Sequence, residues 1–512
     1  MTWLDAAIGW LSPKAGLERA RARAALGVIR AYEGANTTRR TVHWKTSGLS
    51  ANGEIASALS RLRNRSRDLV RNNPYGRRAI GALVGNAVGT GISLGCRDTR
   101  LRKAWAAWVS EADFYGDQDL YGLQALIARA CFESGDCLVV RVRTETARAG
   151  RSGVPLKLKV LEGDFLDTTK MGQAANGNFV LGGIEIDREG RRVAYHIHRV
   201  HPGETVIVDP KAGSDRVPAE DVIYHFEKDR PGQLLGVPRL AASIMKLRDL
   251  DEYQEALLVK KKIEACFAMF VQSDDDAVRV GTSTETETDA DGNSRRVEKL
   301  SPGAIMYGKP GESVTFGEPS GGGDDGFTET QLHAIAAGAG VTYTQLTGDL
   351  SRANYSSMRG GRAEFKILVE QYRWLSLMPQ VNERIFAWFE ESAFQAAKIR
   401  KTGYEHVWTP PRWEYVNPRE DVQADKEELG AGLASLSEKL RARGEDPEAV
   451  FAEIAEERKQ LAKLGIAVDY SAVKAPATAK PANGEGKPDD GAGKPADDDE
   501  PASSGAKPDT QD

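Results

Sequence analysis

The first strong periodicity along the chain runs over residues 50 to 73, where Ile55, Leu59, Leu62 and Leu69 recur at helical spacing and Arg61, Arg63, Arg65, Arg67 and Arg71 fill the flanks. This predicts an amphipathic basic helix that stops at Asn72-Asn73-Pro74, because proline denies the preceding residue an easy α conformation. A second helix is expected over 75–88, closed by Gly89 and Gly91, and a third around Trp105 and Trp108. Between Cys137 and Tyr224 the period drops to two. The runs LVVRVR, KLKVLEG, GIEIDREGRRVAYHIHRV and ETVIVDP, broken by Gly, Asp and Pro, predict antiparallel strands.

Helical spacing returns at Gly236-Val237-Pro238, followed by Leu240, Ile244, Leu247, Leu250, Tyr253 and Leu257. Proline fits a first helical turn because its missing N–H has no partner there. Carried to Glu264, such a helix would be on the order of 40 Å long, with a charged back and a basic end at Lys260, Lys261 and Lys262. A polar, acidic stretch over 273–294 precedes two strand-like pieces, GAIMYG and ESVTFG. Another helix is expected over 327–339, then the polar stretch GDLSRANYSSMRGG, then a helix over 362–400 that Pro379 should kink or divide. Three shorter helices follow. The first is expected to be capped by Asn417, with Pro418 in its first turn and Glu420 completing a capping box; the second stops at Gly444; the third runs from Asp446-Pro447 to Gly465. Beyond Lys474 the chain carries too little apolar area to offset the entropy of ordering, and disorder is expected.

At 512 residues the chain exceeds what one hydrophobic core supports, so more than one subdomain is expected. No uninterrupted apolar run is long enough to span a bilayer, and the acid at Asp5 ahead of any Lys or Arg is the wrong polarity for a secretory signal. The net charge of -5 hides a segregation: residues 1–103 hold 19 Lys and Arg against 6 Asp and Glu, while the segment from Lys474 holds 5 Lys against 9 acids. One face is thus expected to turn toward a polyanion or an acidic partner. Cys96, Cys131, Cys137 and Cys266 are too dispersed for a disulfide framework or a zinc site and are expected as reduced, mostly buried thiols.

No complete phosphate-binding loop is present: Gly308-Lys309 runs into Pro310 where the motif needs Ser or Thr, so no ATP hydrolysis of that type is expected. Gly89, Gly91 and Gly95 miss dinucleotide-binding spacing and are expected in a turn. His196, His198 and His201 are the one cluster of metal-ligand type. Strand alternation puts the first two on one face, but no carboxylate motif accompanies them, so ordinary strand histidines are expected and a metal-dependent hydrolase is the rival reading. A long helix with a narrow apolar stripe and a charged back makes most sense packed beside copies of itself, its charged face toward a lumen.

The stretches RSRDLVRNNPYGRRAI, VGTGI, FESGDCLV, LEGDFLDT, GIEIDREGRRVAYHI, VPAEDVIYHFEKDRPGQLLGVPRL and LTGDLSRANYSSMRGG, in this order over about residues 50–420, resemble the lambda-type portal family of tailed bacteriophages. The resemblance implies an α+β fold with helical wing, stem and crown parts, a β-rich portion of the wing and a small α/β clip. It implies a non-enzymatic dodecameric ring at one capsid vertex, a channel for packaging and ejecting double-stranded DNA without sequence selectivity. The partners implied are the large terminase subunit, major capsid and scaffold proteins, and later head-tail adaptor proteins. No cofactor, metal or membrane is implied; assembly is expected in the host cytoplasm. Mapped onto this chain, the N-terminal arm would be 1–49, the wing 50–235, the stem helix 236–264, the clip 265–326 and the second stem helix 327–346. The tunnel loop would be 347–361, the kinked wing helix and its connection 362–415, the crown 416–470 and the acidic tail 471–512. Arg352, Asn354, Tyr355, Ser356, Ser357 and Arg359 are the expected DNA-facing residues of the tunnel loop, with Lys260, Lys261 and Lys262 as a basic ring between stem and clip. Another head or tail component, such as a minor capsid protein or adaptor, is the structural alternative.

Overall fold

The computed structural model describes residues 46–466, apart from 146–149, 206–212, 273–284, 289–293, 298–303, 309–324, 352 and 416, together with isolated positions before residue 46. The acidic tail, nearly all of the N-terminal arm and the ESVTFG stretch lie outside the described residues. Helix α1 (Ala51–Asn72) begins where the Ser50 hydroxyl accepts the Gly53 N–H, and Asn73 joins it to α2 (Pro74–Ala87). The Asn73 N–H closes α1 on the Leu69 carbonyl, while its carboxamide oxygen accepts the N–H groups of Tyr75 and Gly76. The glycines after α2 form a turn: Gly89 and Gly91 have φ of 54° and 117°, a region that side chains disfavour. That turn leads into β1 (Ser93–Gly95), α3 (Thr99–Val109) and α4 (Leu120–Ser134). Trp105 and Trp108 of α3 anchor the larger core, with Trp105 edge-on to Phe389 at a ring separation of 4.9 Å.

The alternating region forms two antiparallel sheets. In the first, β2 (Asp136–Arg143) lies between β3 (Leu156–Glu162) and β9 (Val222–Phe226). The second is a five-stranded meander in sequence order: β4 (Gly172–Gln173), β5 (Phe179–Leu181), β6 (Ile184–Ile186), β7 (Arg192–His198) and β8 (Ser214–Pro218). Leu161, Leu166, Ile184, Tyr195, Val222 and Tyr224 fill a smaller core between them.

The expected helix from Gly236 starts later, at Ile244: α5 spans Ile244–Cys266. Gly236 is pressed against the turn at Gly135, where a Cβ would come within 2.0 Å of the Gly135 carbonyl oxygen, and the Arg239 N–H donates to the Phe132 carbonyl. The GVPRL stretch therefore serves tertiary contact instead of opening a helix. The first half of α5 buries Ile244, Leu247 and Leu250 in the main core with Leu332, Ile335 and Ala336 of α6 (Asp325–Ala339), whereas Leu258 and Val259 near its far end are exposed. Between these helices β10 (Phe267–Gln272) pairs in parallel with β13 (Ala304–Gly308), and β11 (Glu285–Thr288) pairs antiparallel with β12 (Ser294–Val297).

The expected second stem helix over 327–346 is divided: α6 closes at Gly340, which has φ of 74°, and a separate α7 covers Tyr343–Thr347. Helix α8 (Tyr355–Tyr372) starts seven residues earlier than spacing indicated and continues through a π-helical segment, Arg373–Asn382, into α9 (Glu383–Gln395). Pro379 sits in the π segment. The wider turn there absorbs the lost N–H donor, so the rod is modified rather than cut. Strand β14 (Val407–Thr409) returns to pair with β1. Three helices follow, α10 (Pro418–Gly430), α11 (Leu436–Ala442) and α12 (Pro447–Leu464). Asn417 does precede α10, but the capping box with Glu420 does not form; the Asn417 N–H donates to the Asp421 carboxylate instead. For α12 the cap at Asp446, the proline at Pro447 and the left-handed Gly465 all stand where expected. No helix among the described residues is long and apolar enough to cross a membrane.

Candidate nucleic-acid interface

The signature stretches converge on two places. At the first, α1 turns two of its arginines inward: Arg63 is buried and its Nη2 donates to both Asp136 oxygens at 2.7 Å, while its Nε donates to the Ser134 carbonyl. Arg67 bonds the Ser134 hydroxyl, Asp164 and Glu162, and the Tyr224 hydroxyl donates to Asp136. Burial alone would weaken the Arg63 charge, but Asp136, Tyr224 and Asp164 outweigh it and raise the guanidinium above its ordinary range. Burial likewise pushes Asp164 up, and Arg63 and Arg67 override it to hold that carboxyl low. The basic face expected on α1 is thus smaller than the sequence suggests, since Arg63 and Arg67 are spent on the chain's own carboxylates.

The histidines do not converge. His196 Nε2 lies 3.8 Å from Glu185, His198 Nε2 lies 3.6 Å from Asp167, and His201 Nε2 lies 3.4 Å from Glu162. Ligand atoms of Glu162, Asp164 and His201 fall within 4.8 Å of one another, but Arg67 already neutralises both acids there. Burial pushes the Cys96, Cys131 and Cys137 thiols up, away from nucleophilic or ligating thiolates.

At the second place the LTGDLS…NYSS…RGG stretch meets the NNPYGRRAI helix. Arg78 of α2 donates through Nε to the Gln345 carbonyl at 2.7 Å, fixing α7 against α2. Thr342 caps α7 and Gly348, with φ of 76°, ends it. The connection that follows is short and internally bonded. The Asp349 N–H donates to the Thr347 hydroxyl, the Ser351 N–H to the Asp349 carboxylate, and the Ala353 N–H to the Leu350 carbonyl. Leu350 stands 57% exposed.

Asn354 then caps α8 reciprocally: its carboxamide oxygen accepts the Ser357 N–H at 2.8 Å, and its own N–H donates to the Ser357 hydroxyl. The stretch expected as a loop to Gly361 is therefore helical from Tyr355, because this cap supplies the N-terminal donors with partners. Asn354 and Ser357 are committed to the cap, Arg352 lies outside the described residues, and Tyr355, Ser356 and Arg359 point from the exposed first turns. No residue over 354–364 is buried; the helix is held to the body by Phe365, Val369 and Tyr372.

Two residues that sequence reasoning missed extend the basic edge. Arg359, Arg362 and Lys366 follow at helical spacing, and none has a carboxylate within salt-bridge distance among the described residues. That stripe was legible only to a reader who started the helix at Tyr355. Lys260, Lys261 and Lys262 occupy the last described turns of α5, remote in sequence from this edge.

A further face of the rod carries no cover among the described residues. Ile367 (59% exposed), Leu368, Trp374 and Leu375 (73% exposed) protrude from α8 and the π segment, and the Trp374 ring is pinned outward by its Nε1 bond to Glu370.

The family model described as "Phage portal protein, lambda family" matches residues 37–373. A "Probable portal protein" of Halomonas phage phiHAP-1 is 26% identical, covering 93% of this chain and 94% of that protein. The "Portal protein" of Escherichia phage N15 is 22% identical over 83% of this chain and 88% of its own length. Among solved structures, a chain from the neck of an empty gene transfer agent particle covers 80% of this chain and 99% of itself, with 16% identity and a TM-score of 0.40.

Proposed function

The chain belongs to the lambda family of phage portal proteins, and we propose that copies of it close into a ring, twelve by the family's habit, that forms a DNA channel at one capsid vertex of the virion. The observation that carries this reading beyond family membership is the uncovered apolar face of Ile367, Leu368, Trp374 and Leu375. A contiguous patch of large apolar side chains is costly to leave in water and marks a contact surface. In a cyclic assembly each copy offers one face to the next, and the ring closes when the rotation does.

In this reading the wing comprises α1 to β9 with the α8 to α9 rod, the stem α5 and α6, the clip the strands between them, and the crown α10 to α12. The start of α8 faces the lumen. Tyr355, Ser356, Arg359 and Arg362 contact phosphates there, while Asn354 and Ser357 act by holding the helix end. A few dispersed arginines attract a passing duplex without sequence selectivity, and hydroxyls give weak, replaceable contacts. Lys260, Lys261 and Lys262 are assigned to the junction of stem and clip. The large terminase, capsid or scaffold proteins and head-tail adaptors are the partners such a ring requires. The protein itself supplies no hydrolysis; the energy for packaging comes from the terminase.

The test is assembly. Leu375→Asp and Ile367→Asp place a charge in the proposed contact, and sedimentation should show rings replaced by folded smaller species. Rings of unchanged size in both variants would remove this face from the interface.

A further inference from the structure

A cleft of about 660 Å³ opens between the first half of α8 and helices α10 and α11. Six cations line it, Arg359, Arg362, Lys366, Arg412, Lys439 and Arg443, against three carboxylates. The far wall is internally balanced: Lys439 and Arg443 bond Asp425, and Arg412 bonds Glu414. The α8 wall is not. Arg359, Arg362 and Lys366 lie along one edge of the helix with no carboxylate partner among the described residues, and Lys366 rests 6.0 Å from the centre of the Trp413 ring on the cleft floor. A concave site of this volume with unbalanced positive charge fits an anionic group of a few residues. A duplex, being a convex cylinder, would meet the helix from outside and not enter.

We infer that this cleft docks the chain's own acidic segment, Asp497-Asp498-Asp499-Glu500 with the acids shortly before it. Charge complementarity selects it: four consecutive carboxylates stand there, against three unbalanced cations spaced along two helical turns. Chain length permits it. About 30 residues separate Ile466 from Asp497, enough to reach up to about 100 Å when extended, whereas the α12 helix to be retraced is about 27 Å long. Tethering raises the local concentration of the segment, so a weak intrinsic affinity suffices. If the DNA-channel reading also holds, the docked segment neutralises the α8 edge until a stronger polyanion displaces it; the docking itself does not depend on that reading.

The test uses the full chain and a fluorescein-labelled synthetic peptide of residues 485–504. In the tail-neutralised chain (Asp497→Asn, Asp498→Asn, Asp499→Asn, Glu500→Gln) the cleft is vacated, and the peptide should bind at least about tenfold more tightly than to the unaltered chain at low salt. Adding Arg359→Gln, Arg362→Gln and Lys366→Gln should abolish that gain. Independently of any variant, a zero-length carbodiimide should join Lys366 to the acidic segment of the unaltered chain, read by mass spectrometry. Equal peptide affinity for both chains overturns the proposal. So does peptide binding indifferent to the three glutamines, which places the tail on another basic surface. Effects of the three glutamines on a 20-base-pair duplex alone, with no peptide binding and no Lys366 cross-link, also overturn it and leave the edge as a DNA contact.

Discussion

Arg63 and Asp136 are both buried and meet through two 2.7 Å contacts, joining α1 to β2, the middle strand of the three-stranded sheet. Gly163 completes the junction, since a Cβ there would fall 1.7 Å from an Asp136 oxygen. Four of the stretches by which the family is recognised meet at this point. At this junction their polar side chains are bonded to one another and tie α1 to the three-stranded sheet.

Removing one partner of a buried pair leaves the other charge without compensation. Asp136→Ala should cost about 3–5 kcal/mol of stability, and Gly163→Ala should be severely destabilising by collision. Replacing both charges together with Arg63→Met and Asp136→Leu should recover much of the loss. Thermal unfolding of the three proteins decides it; an Asp136→Ala protein as stable as the unaltered one would show that the junction carries no weight.

The helix and strand order was largely legible because caps and periodicity are local. The cap, proline and glycine of α12 each act within one turn of the residue that encodes them. What failed was decided by tertiary contact. A helical wheel cannot tell an arginine that faces water from one that faces Asp136, so Arg63 and Arg67 were counted with the basic face. Gly236 and Pro238 read as a helix start because nothing local reveals the close approach of Gly135. The first turns of α8 look like a loop, rich in Ser, Asn and Gly, until the reciprocal bonding of Asn354 and Ser357 is seen.

His225 is fully buried, between Gln380 at 3.1 Å from Nδ1 and the Tyr372 hydroxyl at 3.0 Å from Nε2. Burial lowers it from 6.5 to about 4. The unfolded chain therefore takes up a proton between those values that the folded chain refuses. The contribution is fully present above pH 6.5 and lost as pH falls toward 4, on the order of 3 kcal/mol in all. Melting temperature should drop across that window, and less steeply in His225→Gln; identical slopes would contradict the assignment.

Asn354→Ala removes the cap of a helix whose first turns pack against little. The expected cost is about 1 kcal/mol, confined to those turns. Hydrogen exchange should quicken over residues 357–361 while the core around Trp108 stays protected. Uniform destabilisation would show that the cap supports the core.

If the start of α8 faces DNA, Arg359→Gln and Arg362→Gln should each weaken binding equally across sequences and reduce the slope of log affinity against log salt by about one. An unchanged slope in both would remove α8 from the DNA surface.

Whether the chain forms a channel is tested most directly by imaging the purified full-length protein end-on in negative stain. The account predicts closed rings, twelve subunits by family habit, with a central hole wide enough for duplex DNA. A homogeneous population of monomers, or of compact assemblies without a hole, would contradict it.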